Sequence, residues 1–296
     1  MPETGHKVIH VLFRGFKGLI RLLPRKFCLA IGRMLGSTVY CFDKRHRGIA
    51  LKNLDIAFGD KISRVNKKRI AQSSFAHFSE ALFDIMKFSS MSDETKEALL
   101  SIEGEEHVRA ALNKRKGVLI VTAHYGNWEF GTISISKLGE FHVIARALDI
   151  KCLEDELLAL RESFGAHVIY KQQATRQTLR SLKENRIVAI LIDQNVLHDQ
   201  AIFVDFFGKL AGTTPALAAF HLRTGAPIVP AFCLPTPMKG YHVRLLKPLE
   251  FTPSGDYSAD VQRITQECTK IIEDQIRDQP EFWLWFHDRW RSQPKI

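Results

Sequence analysis

The chain has 296 residues, 45% of them apolar and 25% charged, with a formal net charge of +10. That much apolar material excludes wholesale disorder, and no stretch reaches the roughly 18 uninterrupted apolar residues of a membrane-spanning helix. Five scattered cysteines without a Cys-x-x-Cys pair argue for free thiols in a reducing compartment rather than zinc or redox chemistry.

The charge is concentrated at the start. Residues 1–50 hold ten Lys/Arg against Glu3 and Asp43, and the remaining residues are nearly neutral. A local basic patch points to an anionic surface, which means membrane, nucleic acid or an acidic protein. On a helical wheel Lys7, Arg14, Lys17 and Arg21 fall within an arc of about 80°. Val8, Ile9, Leu12, Phe13, Phe16, Leu19, Ile20 and Leu23 cover the other side, and Pro24 interrupts the pattern. An all-cationic polar face opposite Phe and Leu suits a helix lying in the headgroup region of an anionic membrane. A helix packed on the protein's own core is the plainer alternative. Nucleic acid is not the expected partner, because the aromatics form one apolar face instead of interleaving with cations. Arg14, Lys17 and Arg21 also invade the place of a signal-peptide core, so the body is expected in the cytoplasm. Residues 1–45 form the expected membrane-associating arm and 46–296 the main domain.

From Ser63 to about Ala111 the pattern is helical, with Ile70, Phe75, Phe78, Leu82, Phe83 and Ile85 on Arg64–Lys87 and a second start at Ser92. Beyond Asn113 the texture changes. Strands are expected at Val118–Ala123, His142–Ala147, His167–Tyr170, Ile187–Ile192, Ile228–Leu234 and His242–Leu246. Helices are expected at Trp128–Leu138, Asp155–Phe164, Gln172–Glu184, Pro215–Thr224 and Ala259–Asp278. Such alternation predicts an α/β fold with a mostly parallel sheet flanked by helices, and ligands in such folds collect at the carboxyl ends of strands.

His124 lies at one such end, Asp193 at another. His124-Tyr125-Gly126-Asn127-Trp128-Glu129 places an imidazole and a carboxylate across a turn, with Asn127 a suitable N-cap. On a single helix the pair would lie roughly 140° apart. Across a strand-to-helix turn Glu129 could instead hold one imidazole nitrogen and leave the other to accept a proton. A purely structural His–Glu pair is the alternative. The spacing does not suit a metal. No nucleophile elbow, Walker loop or Gly-x-Gly-x-x-Gly is present, so the substrate is expected to bring its own nucleophile and no nucleotide cofactor is expected.

Thr122-Ala123-His124-Tyr125-Gly126-Asn127-Trp128-Glu129 resembles the His-x4-Asp/Glu box of the bacterial lipid A biosynthesis (lauroyl/myristoyl, late) acyltransferase family. Arg47–Leu54, Arg161-Glu162-Ser163-Phe164-Gly165, Asp193-Gln194-Asn195, Phe203–Gly208 and the ending Trp283–Pro294 resemble further family segments in order, over about residues 45 to 294. The resemblance implies a glycerolipid-acyltransferase-like α/β fold at the cytoplasmic face of the inner membrane. It also implies acyl transfer from an acyl carrier protein thioester to a glycolipid hydroxyl. On that reading His124 is the general base, Glu129 orients it, and Asn127, Trp128, Arg161 and Asp193 belong to the substrate site, with a capping role at the strand end the alternative for Asp193. Arg161 would bind a phosphate or developing negative charge, unless it is a plain surface-helix arginine. Trp128, Phe206 and Phe207 are candidate acyl-groove residues, with plain core the commoner role for such apolar clusters. The terminal Trp block fits either the membrane interface or a docked end segment. Another lipid acceptor, such as a lysophospholipid, aminolipid or phosphatidylinositol glycoside, and an inactive membrane-bound scaffold are the alternative readings.

Overall fold

The computed structural model describes residues 3–148, 150–238 and 240–294, without the side chains of residues 3–12 and 152–153. Four helices come first: α1 (Glu3–Leu22), α2 (Arg25–Phe42), α3 (Lys44–Phe58) and α4 (Arg64–Phe88). Lys7, Val8, Ile9 and Leu12 of the expected amphipathic face lie outside the described side chains. Pro24 separates α1 from α2, as its missing N–H and fixed φ require. α2 lies directly on α4: a Cβ on Gly36 would stand 2.3 Å from the Phe75 carbonyl oxygen, so only glycine permits this approach. Ile20, Cys28 and Phe83 form a small core beneath these helices. Leu19, Leu22, Phe27, Met34, Val39 and Phe42 are exposed, among exposed cations that include Arg14, Arg21, Lys26 and Arg33. No helix among the described residues is long and apolar enough to cross a membrane.

The stretch expected to be helical to Ala111 restarts after Ser92 as expected, but a strand interrupts it. A short helix α5 (Asp93–Ala98), whose first turn is capped by the Ser92 hydroxyl, leads into β1 (Leu100–Glu103) and then α6 (Glu105–Asn113). After it come β2 (Val118–Thr122), α7 (Trp128–Ser136), β3 (Phe141–Ala145), α8 (Lys151–Ser163), β4 (Ala166–Tyr170), α9 (Ala174–Lys183) and β5 (Ile187–Leu191). The order continues with β6 (Ile202–Phe206), β7 (Lys209–Thr213), α10 (Ala216–Thr224), β8 (Ile228–Pro235), β9 (Tyr241–Leu245) and α11 (Tyr257–Asp278). All six strands expected from the sequence are present; β1 and the β6–β7 hairpin are additional.

Seven strands form one sheet in the order β1-β9-β8-β2-β5-β3-β4, and every pairing is parallel except β8 with β9. β2 and β5 are central and buried along their length, which is why they read as unbroken apolar runs instead of alternating. One side of β2, through Leu119 and Val121, faces a core shared with α10, α11 and the C-terminal tryptophans. The other, through Val118 and Ile120, faces a second core with Phe130 and Ile133 of α7. The sheet therefore has helices on both faces, the mixed α/β architecture expected.

Candidate active site

Parallel pairing builds the centre of the site. β2 and β5 are neighbours with Thr122 opposite Leu191. Two residues further along each strand end stand His124 and Asp193, so equal offsets from one register place them side by side. The contact is close: the His124 Nδ1–H donates to Asp193 Oδ1 at 2.9 Å, and the His124 backbone N–H donates to Oδ2 at 3.0 Å. The Trp283 indole N–H also donates to Oδ2, at 2.9 Å. Asp193 is 3% exposed. Burial alone would raise its pKa, but the His124 charge and the hydrogen bonds from His124 and Trp283 outweigh that and hold it below the usual carboxylate range.

With Nδ1 engaged, Nε2 is the imidazole nitrogen left to take a proton. Facing it is the Gln194 side chain, whose amide nitrogen lies 3.3 Å away. The Trp128 ring packs edge-on against the imidazole with centroids 5.0 Å apart. Trp128 in turn lines an apolar crevice beneath α7, together with Thr122, Gly131, Leu191, Phe232 and Cys233.

The turn between β2 and α7 is held from three sides. Gly126 adopts φ +62°, and a Cβ there would lie 1.9 Å from the Cys233 carbonyl oxygen, so the turn requires glycine. Its N–H donates to Phe282 O at 2.9 Å, and the Asn127 N–H donates to Cys233 O at 2.9 Å. The buried His77 on α4 donates its Nε2–H to the Gly126 carbonyl at 2.9 Å. Burial pushes the His77 pKa down to about 4, so it holds this turn as a neutral ring.

Glu129 is placed differently from the sequence expectation. Its carboxylate does not carry the His124 Nδ1–H; Asp193 does. From the first turn of α7 it reaches across to α8, where Arg161 Nε donates to Oε2 at 3.0 Å and the Arg161 Nη2 donates to Oε1. A guanidinium fork meets both carboxylate oxygens at once, and a ring nitrogen cannot compete with that geometry. The same Oε1 accepts the Trp128 indole N–H at 3.0 Å. Glu129 thus reaches the imidazole only through Trp128. Arg161, read as an anion site, is occupied by Glu129, and both side chains are largely buried. Asn127 sits at the N-cap position but makes no side-chain capping bond. Phe206 and Phe207 pack with Trp283, Trp285 and Trp290 on the far side of the sheet and take no part in the crevice.

The C-terminal block is docked, with Trp283, Trp285 and Trp290 at most 3% exposed. Besides Trp283 on Asp193, the Leu284 N–H donates to His124 O at 3.3 Å, and His287 Nε2 accepts the Asn195 N–H at 2.9 Å. Asn53 on α3 secures the block through Trp285 O and His287 O at 2.8 and 2.7 Å. Arg289 is fully buried, donating to Gly212 O and the Thr213 hydroxyl, with its guanidinium carbon 5.3 Å from the Phe206 ring centroid. Trp283, His287 and Gln194 are site residues that the sequence reading did not single out, although all lie within the segments that carried the resemblance. The described residues contain no cluster of three or more potential metal ligands. What remains is an oriented imidazole beside apolar side chains, an arrangement that suits deprotonation of a hydroxyl.

Comparison with known proteins identifies the family. A family model described as bacterial lipid A biosynthesis acyltransferase matches residues 4–292. The chain is 27% identical over 194 residues to a phosphatidylinositol mannoside acyltransferase of Mycobacterium tuberculosis, covering 64% of this chain and 59% of that protein. It is 24% identical over 287 residues to the lipid A biosynthesis lauroyltransferase of Escherichia coli, covering 95% and 90%. To the palmitoleoyltransferase of the same organism it is 23% identical over 278 residues, covering 92% and 87%. The chain belongs to the bacterial lipid A biosynthesis acyltransferase family.

Proposed function

We propose that the protein transfers a fatty acyl chain from an acyl-carrier-protein thioester to a hydroxyl of a lipid A precursor at the cytoplasmic face of the inner membrane. One observation carries the catalytic part: His124 has Nδ1 tied to a buried carboxylate and its ring against Trp128, which lines an apolar crevice. In this reading the crevice takes the acyl chain and His124 Nε2 takes the proton of the attacking hydroxyl. Asp193 fixes the tautomer and balances the imidazolium that forms, and Glu129 with Arg161 holds Trp128 in place.

The N-terminal helices support a membrane-lying attachment. Leu22 and Phe42 are 84% and 82% exposed, in company with the exposed cations Arg14, Arg21 and Lys26. Apolar side chains left in the open beside cations suit a headgroup boundary. The same excess of positive charge would steer an acidic carrier protein. A phosphatidylinositol mannoside is the second acceptor to consider, because an acyltransferase named for that lipid is among the relatives. The lipid A enzymes, matched over nearly their whole length, favour the first.

The test is acyl transfer by purified protein in vesicles. Acyl-carrier-protein and acyl-coenzyme A donors are offered separately with a tetra-acylated lipid A precursor or a phosphatidylinositol mannoside, for wild type and His124→Ala. Transfer from the carrier protein to the lipid A precursor is expected, falling about 10²–10⁴-fold in the variant. Transfer to the mannoside alone would discard the acceptor and keep the chemistry. Undiminished activity in His124→Ala would remove the base.

A further inference from the structure

We propose that Gln194 is a catalytic residue of this reaction. Its amide stands where an acceptor hydroxyl would meet His124 Nε2; displaced by that hydroxyl, it donates a hydrogen bond to the oxyanion of the tetrahedral intermediate. The inference rests on the acyl-transfer reading above.

The geometry begins at His124. Nδ1 is committed to Asp193, so Nε2 carries the lone pair, and only a donor can face it favourably. Gln194 Nε2 is that donor, at 3.3 Å. This is the long end of a hydrogen bond, a contact that a hydroxyl at a shorter distance replaces. The backbone beneath Gln194 is fixed: Asp193 takes three donors, the Asn195 N–H is on His287, and Arg289 reaches Gln194 O. The side chain is held less firmly. Among the described residues its amide bonds to His124 alone, and the residue is only half-buried. A fixed Cα with a releasable amide beside the base is the arrangement a movable donor needs.

The charge that develops requires such a donor. As the hydroxyl oxygen bonds to the thioester carbonyl carbon, its proton passes to Nε2 and the carbonyl π pair moves onto oxygen. On collapse that pair re-forms the carbonyl, the carbon–sulfur bond breaks, and the imidazolium returns its proton to the departing sulfur. Between these steps the oxyanion sits one carbon away from the oxygen that displaced Gln194, within reach of a side chain with three rotatable bonds. Arg161 and Arg289 are otherwise engaged, Arg161 with both oxygens of Glu129 and Arg289 buried against Gly212 O, Thr213 and Phe206. Among the described residues, Gln194 is the side-chain donor that faces Nε2.

The experiment compares Gln194→Ala, Gln194→Leu, Gln194→Glu and His124→Ala as full-length proteins. The readouts are acyl transfer from a lauroyl carrier protein to a tetra-acylated lipid A precursor in phosphatidylethanolamine/phosphatidylglycerol vesicles, with pH–rate profiles and thermal unfolding. Gln194→Ala is expected to lower kcat about 10²–10³-fold, the loss of one oxyanion donor, with KM unchanged or lower, because the oxyanion bond forms only in the transition state and the amide no longer competes for His124. Gln194→Leu fills the same volume without a donor, and decides the point if the alanine variant fails to fold. Gln194→Glu is expected to lose at least as much, and to shift the acid limb of its profile to higher pH, since a carboxylate beside Nε2 retains the imidazolium proton. A folded Gln194→Ala or Gln194→Leu within about threefold of wild-type kcat would overturn the proposal, as would a loss confined to KM or an unshifted limb in Gln194→Glu. Full activity in His124→Ala would instead overturn the acyl-transfer reading on which it rests.

Discussion

Two acids flank the His124 imidazole, one at the end of β5 and one in the first turn of α7, and they serve it by different routes. Asp193, 69 positions along the chain, lies beside His124 because β2 and β5 pair in register, and its oxygens take the Nδ1–H, the backbone N–H and the Trp283 indole. Glu129, only five positions away, turns its oxygens to Arg161 and to Trp128. Closeness along the chain decided less than strand register and the fork of a guanidinium. The β5 side supplies the charge beside the His124 imidazole, while the α7–α8 side supplies the wall against which the ring packs.

Substitutions separate the two sides, and the largest effect belongs to Asp193. Asp193→Asn retains the shape but offers the imidazole an amide in place of a carboxylate. The wrong tautomer is then accessible and the imidazolium loses its partner, so kcat should fall about 10³–10⁴-fold, as with the aspartate of a catalytic triad. Initial acyl-transfer rates at saturating donor measure this. Glu129→Gln should cost only about tenfold in kcat, through a loosened Trp128. It should also lower stability by about 3 kcal/mol, because Arg161 is left largely buried without its anion. Chemical denaturation reads that loss, and Glu129→Gln/Arg161→Met should recover most of it without restoring wild-type activity.

The smallest effect concerns the turn that both sides share. His77 titrates near 6.5 when unfolded but at about 4 when buried against Gly126. Above the unfolded value both states are neutral and it contributes no pH dependence. As pH falls from about 6.5 towards 4, only the unfolded chain gains the proton. The folded state therefore weakens over that window, by at most about 3 kcal/mol. Unfolding free energies of His77→Gln should lack this part of the acid slope; an unchanged slope would contradict a neutral buried His77.

The sequence disclosed much of this architecture and less of its wiring. β2 and β5 are legible because a strand covered on both faces must be apolar throughout. β1 is four residues at the edge of the sheet between helices, and only its pairing with β9, some 140 positions away, makes it a strand. The β6–β7 hairpin turns on Phe207-Gly208 with φ +60° and +80°. That conformation favours Asn-Gly, and here it is held by the Phe207 N–H on Glu273 and the Arg277 guanidinium on the Phe207 ring. Those contacts lie far off in sequence, so the usual turn signal was missing. His124 and Asp193 were each visible as polar groups at strand ends. Their partnership was not, because strand order is a property of the sheet and no local pattern encodes it. The terminal tryptophans were equally ambiguous until their burial showed a docked end segment, in which Trp283 alone of the three donates to Asp193.

The most direct test of the Asp193–His124 pairing is the Nδ1–H resonance of His124 in histidine-¹⁵N-labelled protein, assigned by its disappearance in His124→Ala. A ring N–H donating to a buried carboxylate should give a slowly exchanging, strongly downfield signal that is lost or displaced in Asp193→Asn and persists in Glu129→Gln. Loss of that signal in Glu129→Gln with its retention in Asp193→Asn would contradict the assignment of Asp193 as the partner of the base.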